Sequence, residues 1–318
     1  MAAPVFVSRM EAASASSGNL AMDRRYQWAM ASSEARDFAG ARDILEQVTR
    51  DAPHWPPGWR ALADACLELN DKPAAMAALQ RLDALDPAGL FGARLKLAAL
   101  GAAPPPASAD AAYVAGLFDQ YAERFDDHLM QALDYRGPAL LMDAINRACS
   151  RAGREARFAT ALDLGCGTGL MAQELRACCA VMDGVDLSPR MIAMAQRTGL
   201  YRHLQIADVT AFLDTQAAAS IALAAAADVF VYIGDLAPVF AACHRALESE
   251  GLLAFTLQHH EGSQEFVVGP DMRYAHAPGY LRALAAARGF EVLLLEEVSV
   301  RKDRGVPVAG MAAVLSKP

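Results

Sequence analysis

Apolar positions before residue 100 recur at helical spacing, and the same pattern returns 34 residues later: Ala41 with Ala75, Leu45 with Leu79, Val48 with Leu82, Trp28 with Leu62. Each half reads as two short amphipathic helices, closed by Pro53 or Pro87, which cannot continue a helix. Leu90–Leu100 predicts one more helix, Gly101–Ala109 (GAAPPPASA) a semi-rigid linker, and residues 1–20 a disordered tail. From Asp110 the pattern changes. Tyr113, Leu117, Phe118, Tyr121, Phe125 and Leu129 predict a long amphipathic helix. Strand-like runs follow at Phe158–Leu164, Ala180–Asp186, His203–Ala207, Ile221–Ala227 and Leu252–Leu257. Helical stretches separate them at Thr168–Cys178, Pro189–Arg197, Leu236–Glu248 and Pro278–Arg288. This alternation predicts βαβ units and a doubly wound (Rossmann-like) parallel α/β sheet over residues 110–318. Ile221–Ala227 runs against propensity, because alanine prefers helix. Glu291–Val300 and Val308–Ser316, joined by Arg301–Gly305, predict a terminal antiparallel hairpin.

Composition narrows the classes. The 318 residues are 54% hydrophobic and 21% charged, enough apolar content for a core and too little charge for general disorder. A net charge of −8 gives no electrostatic reason to expect nucleic acid. The longest uncharged apolar run, Thr215–Ala227, is shorter than the ~20 residues that span a bilayer, so no membrane segment is expected. The N-terminus lacks a signal-peptide pattern, and six cysteines without a C-x-x-C pair fit a reduced, cytoplasmic protein.

In the second repeat Trp59, Leu62, Ala63, Ala75, Leu79 and Pro87 resemble the tetratricopeptide consensus; Trp28, Ala29, Ala41, Leu45 and Pro53 follow it in the first. The resemblance covers residues 21–100. It implies either a groove for a protein partner or a helical buttress, since about three repeats are usually needed for independent stability. The three tryptophans, 28, 55 and 59, are expected in its core and helix junctions.

In a doubly wound sheet ligands bind outside the carboxyl ends of the strands. The first such end here is Asp163-Leu-Gly-Cys-Gly-Thr-Gly169, whose alternate glycines allow a tight turn and close backbone approach. Asp186 ends the second strand, where a carboxylate can accept both hydroxyls of a ribose, and Asp208 ends the third. The third glycine of a nicotinamide fingerprint would fall on Leu170, which argues against that cofactor. Asp163 instead places an anion beside the loop, where it suits an ammonium.

This run resembles the first motif of class I S-adenosylmethionine-dependent methyltransferases. The likeness narrows to bacterial tetratricopeptide-containing members on Leu117–Leu129, Tyr135-Arg-Gly-Pro138, Ala227–Leu236 and Arg273-Tyr-Ala-His276. It implies a seven-stranded sheet with an antiparallel last strand, S-adenosyl-L-methionine as cofactor, and an opening helix that lays Tyr121, Phe125 and His128 over it. Carried over by position, Asp163 and Gly165 face the methionyl end in a loop completed by Cys166, Gly167 and Gly169. Asp186 holds the ribose and Leu187 packs on adenine, while Asp208 and the amide of Val209 meet the adenine edge. Asp228 and Tyr232 sit near the departing methyl group. Two turns depart from the family: Ser220 stands where an Asp usually opens the fourth strand, and Ser249-Glu250-Gly251 replaces Pro-Gly-Gly.

Methyl transfer needs alignment more than acid–base help, and a base only for a weak protonated nucleophile. His276 is the candidate base, Arg273 a candidate partner for an acceptor carboxylate, and Tyr274 and His259 further acceptor-facing candidates. His259-His260-Glu261 is not expected to hold a metal, because adjacent residues on an extended chain point to opposite faces. The expected function is methyl transfer to a small-molecule or peptide-like acceptor. The competing reading is a tetratricopeptide adaptor that keeps the fold only as a scaffold.

Overall fold

The computed structural model describes residues 16–121, 135–303 and 305–318. The chain divides into two compact units, Met1–Gly116 and Leu117–Pro318.

The first unit contains α1 (Leu20–Glu34), α2 (Phe38–Asp51), α3 (Pro56–Glu68), α4 (Lys72–Leu85) and α5 (Ala93–Ala99). The repeat is written into the backbone as well as the apolar pattern. Arg36 and Asn70 both take left-handed φ, 63° and 59°. The aspartates that follow them cap the next helix: Asp37 accepts the amide of Gly40 at 3.0 Å and Asp71 that of Ala74 at 3.1 Å. The chain thus reverses twice in one way, each time satisfying an orphan helix amide with a carboxylate. Ala41 and Ala75 are fully buried beside Leu45, Leu79, Val48 and Leu82, so small residues sit where helices approach. Trp55 and Trp59 are junction residues. Trp55 meets Tyr26 edge-on at 4.8 Å, and Trp59 donates its indole N–H to the Pro53 carbonyl at 2.9 Å. Trp28 corrects the expectation. It is 63% exposed, whereas its counterpart Leu62 lies on α3, which α2 and α4 flank.

The division between units falls inside α6 (Ala111–Tyr121). The second unit continues with α7 (Gly137–Arg151), β1 (Phe158–Leu164), α8 (Leu170–Leu175), β2 (Cys179–Asp186), α9 (Pro189–Arg197), β3 (His203–Ile206), α10 (Val209–Thr215) and β4 (Ile221–Ala226). After a 3-10 turn at Phe230–Tyr232 come α11 (Ala237–Ala246), β5 (Leu247–His259), β6 (Phe266–Val268), β7 (Tyr274–His276), α12 (Pro278–Ala287) and β8 (Glu291–Val298). The chain ends with β9 (Lys302–Asp303), β10 (Val306–Pro307) and β11 (Gly310–Ser316).

Seven strands run in the order β3-β2-β1-β4-β5-β11-β8, parallel except where β11 enters antiparallel between β5 and β8. This is the Rossmann-like architecture expected, with the hairpin at its end. The alanine-rich β4 is a strand despite its propensity: every residue is buried, and neighbours on both sides pair with it. Small side chains suit a central strand covered on both faces. Beyond the end of β4, β5 continues to His259, and β7 pairs in parallel with that continuation at Gln258 and His259. β6 joins β7 in a hairpin, so an extra two-stranded flap stands beside the carboxyl end of β4.

Candidate active site

β1 is flanked by β2 on one side and β4 on the other, so strand order reverses there and the loops after β1 and β4 line a crevice. In the first loop Gly165, Gly167 and Gly169 have φ of 68°, 52° and 99°, a region costly to residues with a Cβ. Two of them differ in surroundings. A Cβ on Gly165 would lie 2.5 Å from Val229, so the glycine loop touches the segment after β4 directly. A Cβ on Gly167 would meet nothing within 4 Å, so there the backbone faces open space.

Two carboxylates flank this opening. Asp163 is 1% exposed and accepts the Tyr201 hydroxyl at 2.6 Å. Burial pushes its carboxyl up to about 7, against the pull of Tyr201, and the charge of Asp186 adds to the rise. Asp186 accepts the amides of Gly167 (2.9 Å) and Ser188 (2.8 Å), which ties β2 to the glycine loop. Burial raises its carboxyl too, with those amides pulling the other way. A carboxylate has about four acceptor positions, so Asp186 keeps room for two hydroxyls. Ser188 caps α9 through the Met191 amide, and its hydroxyl donates to Asp119 of α6 at 2.5 Å. Asp119, in the part of α6 that belongs to the second unit, is thereby tied to the β2–α9 turn. Asp208 caps α10, accepting the amides of Thr210 and Ala211 from an exposed position, while Val209 is buried and Leu187 half-buried.

Cys166 has a packing role here. It is 4% exposed among Ile192, Ala195, Tyr201 and Leu204, and burial pushes its thiol up, away from nucleophilic character. Tyr121 closes α6, but its side chain lies outside the described residues, as do Phe125 and His128.

The second end of the crevice lies past β4. Asp228 sits at φ 59°, a conformation that costs a non-glycine residue about 1 kcal/mol, with its amide held by the Thr256 hydroxyl at 2.9 Å. Its carboxylate receives Arg301 at 3.0 and 3.2 Å and Arg273 at 3.4 Å. Burial lifts this carboxyl to about 6, with the Arg273 charge opposing. Arg301 is 5% exposed and also reaches Asp271 at 3.2 Å, an oxygen shared with Gln258 at 2.8 Å. Arg273 lies over the ring of Tyr232 at 5.6 Å, and Tyr232 is packed edge-on by Phe118. Tyr135, beside the Ala227 carbonyl at 3.5 Å, feels the charges of Asp228, Arg273 and Asp163 together. The two ends of the crevice are thus electrostatic neighbours.

Three expected residues fall elsewhere. His276 is fully buried in β7, its Nε2 donates to the Gly234 carbonyl at 3.0 Å, and burial drops its pKa to about 4. It is a neutral cross-link, stacked on Tyr280, and a base needs access that this position lacks. Tyr274 is fully buried against Phe266 and Gly234. His259 ends β5 half-buried, opposite His276 in the ladder. The sequence reading gave no role to Tyr201, Asp119, Tyr135, Asp271 or Arg301. Asp119 and Tyr135 lie inside runs that carried the resemblance, and the others had no local signal.

Comparison with known proteins meets this geometry. Residues 162–255 match the methyltransferase domain family, and residues 33–96 match the tetratricopeptide repeat family. The chain carries a methyltransferase domain behind tetratricopeptide repeats. It is 39% identical over 90 residues to human "Methyltransferase-like protein 27", covering 28% of this chain and 35% of that protein. It is 29% identical over 143 residues to "Malonyl-[acyl-carrier protein] O-methyltransferase" of Pseudescherichia vulneris, covering 45% of this chain and 52% of that one. The chain thus spans between about a third and a half of the length of these curated relatives. Among solved structures, the 1,6-didemethyltoxoflavin-N1-methyltransferase of Burkholderia thailandensis aligns at 16% identity with a TM-score of 0.48, over 63% of this chain and 85% of that one. Among the described residues no helix is long and apolar enough to cross a membrane.

Proposed function

We propose that the protein is an S-adenosylmethionine-dependent methyltransferase acting on a small-molecule or peptide-like acceptor. One observation carries the reading: a glycine loop open at Gly167 lies between buried Asp163 and half-buried Asp186. The residues fit the cofactor. When bound, S-adenosylmethionine supplies a methyl carbon activated by its sulfonium. Asp163 would meet the ammonium, and a cation there would hold its carboxyl ionised at neutral pH. Asp186 would accept the ribose hydroxyls on its remaining lone pairs, with its orientation fixed by two amides. Asp208 and Val209 would border the adenine, and Tyr232 with Asp228 would border the reacting end. No proton carrier is assigned, since His276 is occupied as a buried hydrogen-bond donor. The repeats would recruit a protein partner or present a peptide-like acceptor. The complete loop-and-acid set argues against the scaffold-only alternative.

Calorimetry with S-adenosylmethionine and S-adenosylhomocysteine tests this. The folded protein should bind both, and Asp186→Ala should weaken binding at least tenfold. Absence of binding by the intact protein refutes the reading.

A further inference from the structure

Asp228 is approached by two cations, and they are not used alike. Arg301 is almost wholly buried and spreads its guanidinium over both Asp228 oxygens and Asp271. Its charge is matched by two carboxylates. Arg273 has, among the described residues, one ion-pair contact, at 3.4 Å, to an Asp228 oxygen that Arg301 already engages at 3.0 Å. Removing Arg273 would still leave Asp228 paired. Arg273 is nevertheless held in place. The Tyr232 ring lies under it, and the turn around Met272 (φ 62°) fixes its backbone, with the Gly269 amide donating to its carbonyl at 2.8 Å. Its side chain is 22% exposed, and beyond its bonds to Asp228 and the Tyr232 hydroxyl the five-donor guanidinium keeps N–H groups in reserve.

Its setting says what it would receive. Val229, the neighbour of Asp228, packs on Gly165, so this guanidinium stands at the end of the crevice that the glycine loop borders. A cationic cofactor in that crevice would add positive charge beside the guanidinium, and an anion standing between them would relieve the repulsion. A guanidinium fork matches a carboxylate in bidentate fashion. We propose that Arg273, set in place by the Asp228–Arg301–Asp271 cluster, is the recognition point for a carboxylate on the methyl acceptor. The proposal rests on the methyl-transfer reading and narrows it to acidic acceptors. Arg301 and Asp228 act as positioning residues: Arg301 takes both Asp228 oxygens and leaves Arg273 one longer contact there. The carboxylate could belong to a free metabolite or to an acid borne on a peptide, and the two sources share this chemistry.

The test is calorimetry on the full chain saturated with S-adenosylhomocysteine, titrated with succinate, a succinylated hexapeptide, and uncharged succinamide. At least one acid should bind about tenfold more tightly than succinamide, the scale of one charge-assisted hydrogen-bonded pair. Arg273→Gln should erase that preference, and Arg273→Lys, which keeps the charge but loses the fork, should restore part of it. If Arg273→Gln melts well below the wild type, the Lys variant carries the test alone, with a several-fold loss expected. Binding of succinamide equal to both acids, or a preference that survives both substitutions, overturns the proposal. A preference for the peptide-borne acid over succinate identifies the source as macromolecular. Failure of the wild type to bind S-adenosylhomocysteine refutes the methyl-transfer reading instead. The acid titrations repeated without nucleoside would then still decide whether Arg273 binds carboxylates.

Discussion

Replacing Asp163 with asparagine should stabilise the protein while impairing its cofactor site. Asp163 is 1% exposed, and burial holds its carboxyl up at about 7 instead of the usual value of 3.8. A raised acid binds more protons folded than unfolded between those two values. Its contribution is therefore fully favourable below about pH 4 and is lost as pH rises through about 7. The rise from 3.8 to about 7 corresponds to a cost of about 4 kcal/mol at alkaline pH, the smaller part of which is already present near pH 5. Asparagine keeps an oxygen for the Tyr201 hydroxyl and carries no charge, so it escapes this cost. Urea denaturation of both proteins, following the transition of the Leu117–Pro318 unit, should show the mutant's advantage wider near pH 8.5 than near pH 5 by about 3 kcal/mol. His276 pulls the wild-type curve the opposite way over part of this range, because its pKa is lowered to about 4 and its contribution falls as pH drops below about 6.5. That term is common to both proteins and cancels in the difference. The same mutant should lose S-adenosylmethionine affinity by tenfold or more, having no charge for the ammonium. A stability difference that does not change with pH, or a mutant destabilised throughout, refutes the reasoning.

Three further outcomes follow from the same geometry. Tyr201→Phe removes the 2.6 Å bond that holds the Asp163 carboxyl down, so the pH midpoint of cofactor binding should move upward; an unchanged midpoint in calorimetry counts against the pair. Gly167→Ala should fold, at a cost of about 1 kcal/mol for its left-handed backbone. Its methyl would occupy the open space beside the loop, so cofactor affinity should fall at least tenfold, and retained affinity would show that the loop faces something else. Asp71→Ala leaves the Ala74 amide without its cap and should lower the stability of the repeat unit by about 1 kcal/mol in thermal melts.

What could be read from the sequence depended on how far apart in the chain the cooperating groups lie. Strands and helices follow from periodicity, and β4 is legible as an apolar run within the strand–helix alternation although alanine prefers helix. Asp186 stands out in the sequence because part of its setting is local: it accepts the amide of Ser188 two residues away, and its loop partner Gly167 belongs to a recognisable motif. The repeat hid a signal in plain view, since Arg36 with Asp37 and Asn70 with Asp71 share both spacing and a turn that needs a capping acid. His276 misled for the opposite reason. Its motif neighbours look chemical, yet the β5–β7 pairing takes the ring into the core, where neutral imidazole donating to a carbonyl is the cheaper state.

Arg301 shows where the limit falls. Nothing near it distinguishes a hairpin arginine from a solvated one, and its partner Asp228 is 73 residues away. Only folding brings them together, and only then does Arg273, 45 residues from the same carboxylate, become a cation with capacity to spare. The glycine-loop end of the crevice is built from short-range geometry, Asp186 reaching Gly167 and Ser188. The Asp228 end is built from charges that meet across the sheet and the flap beside it, so on the proposed reading Arg273 substitutions should alter acceptor binding while leaving the glycine loop intact.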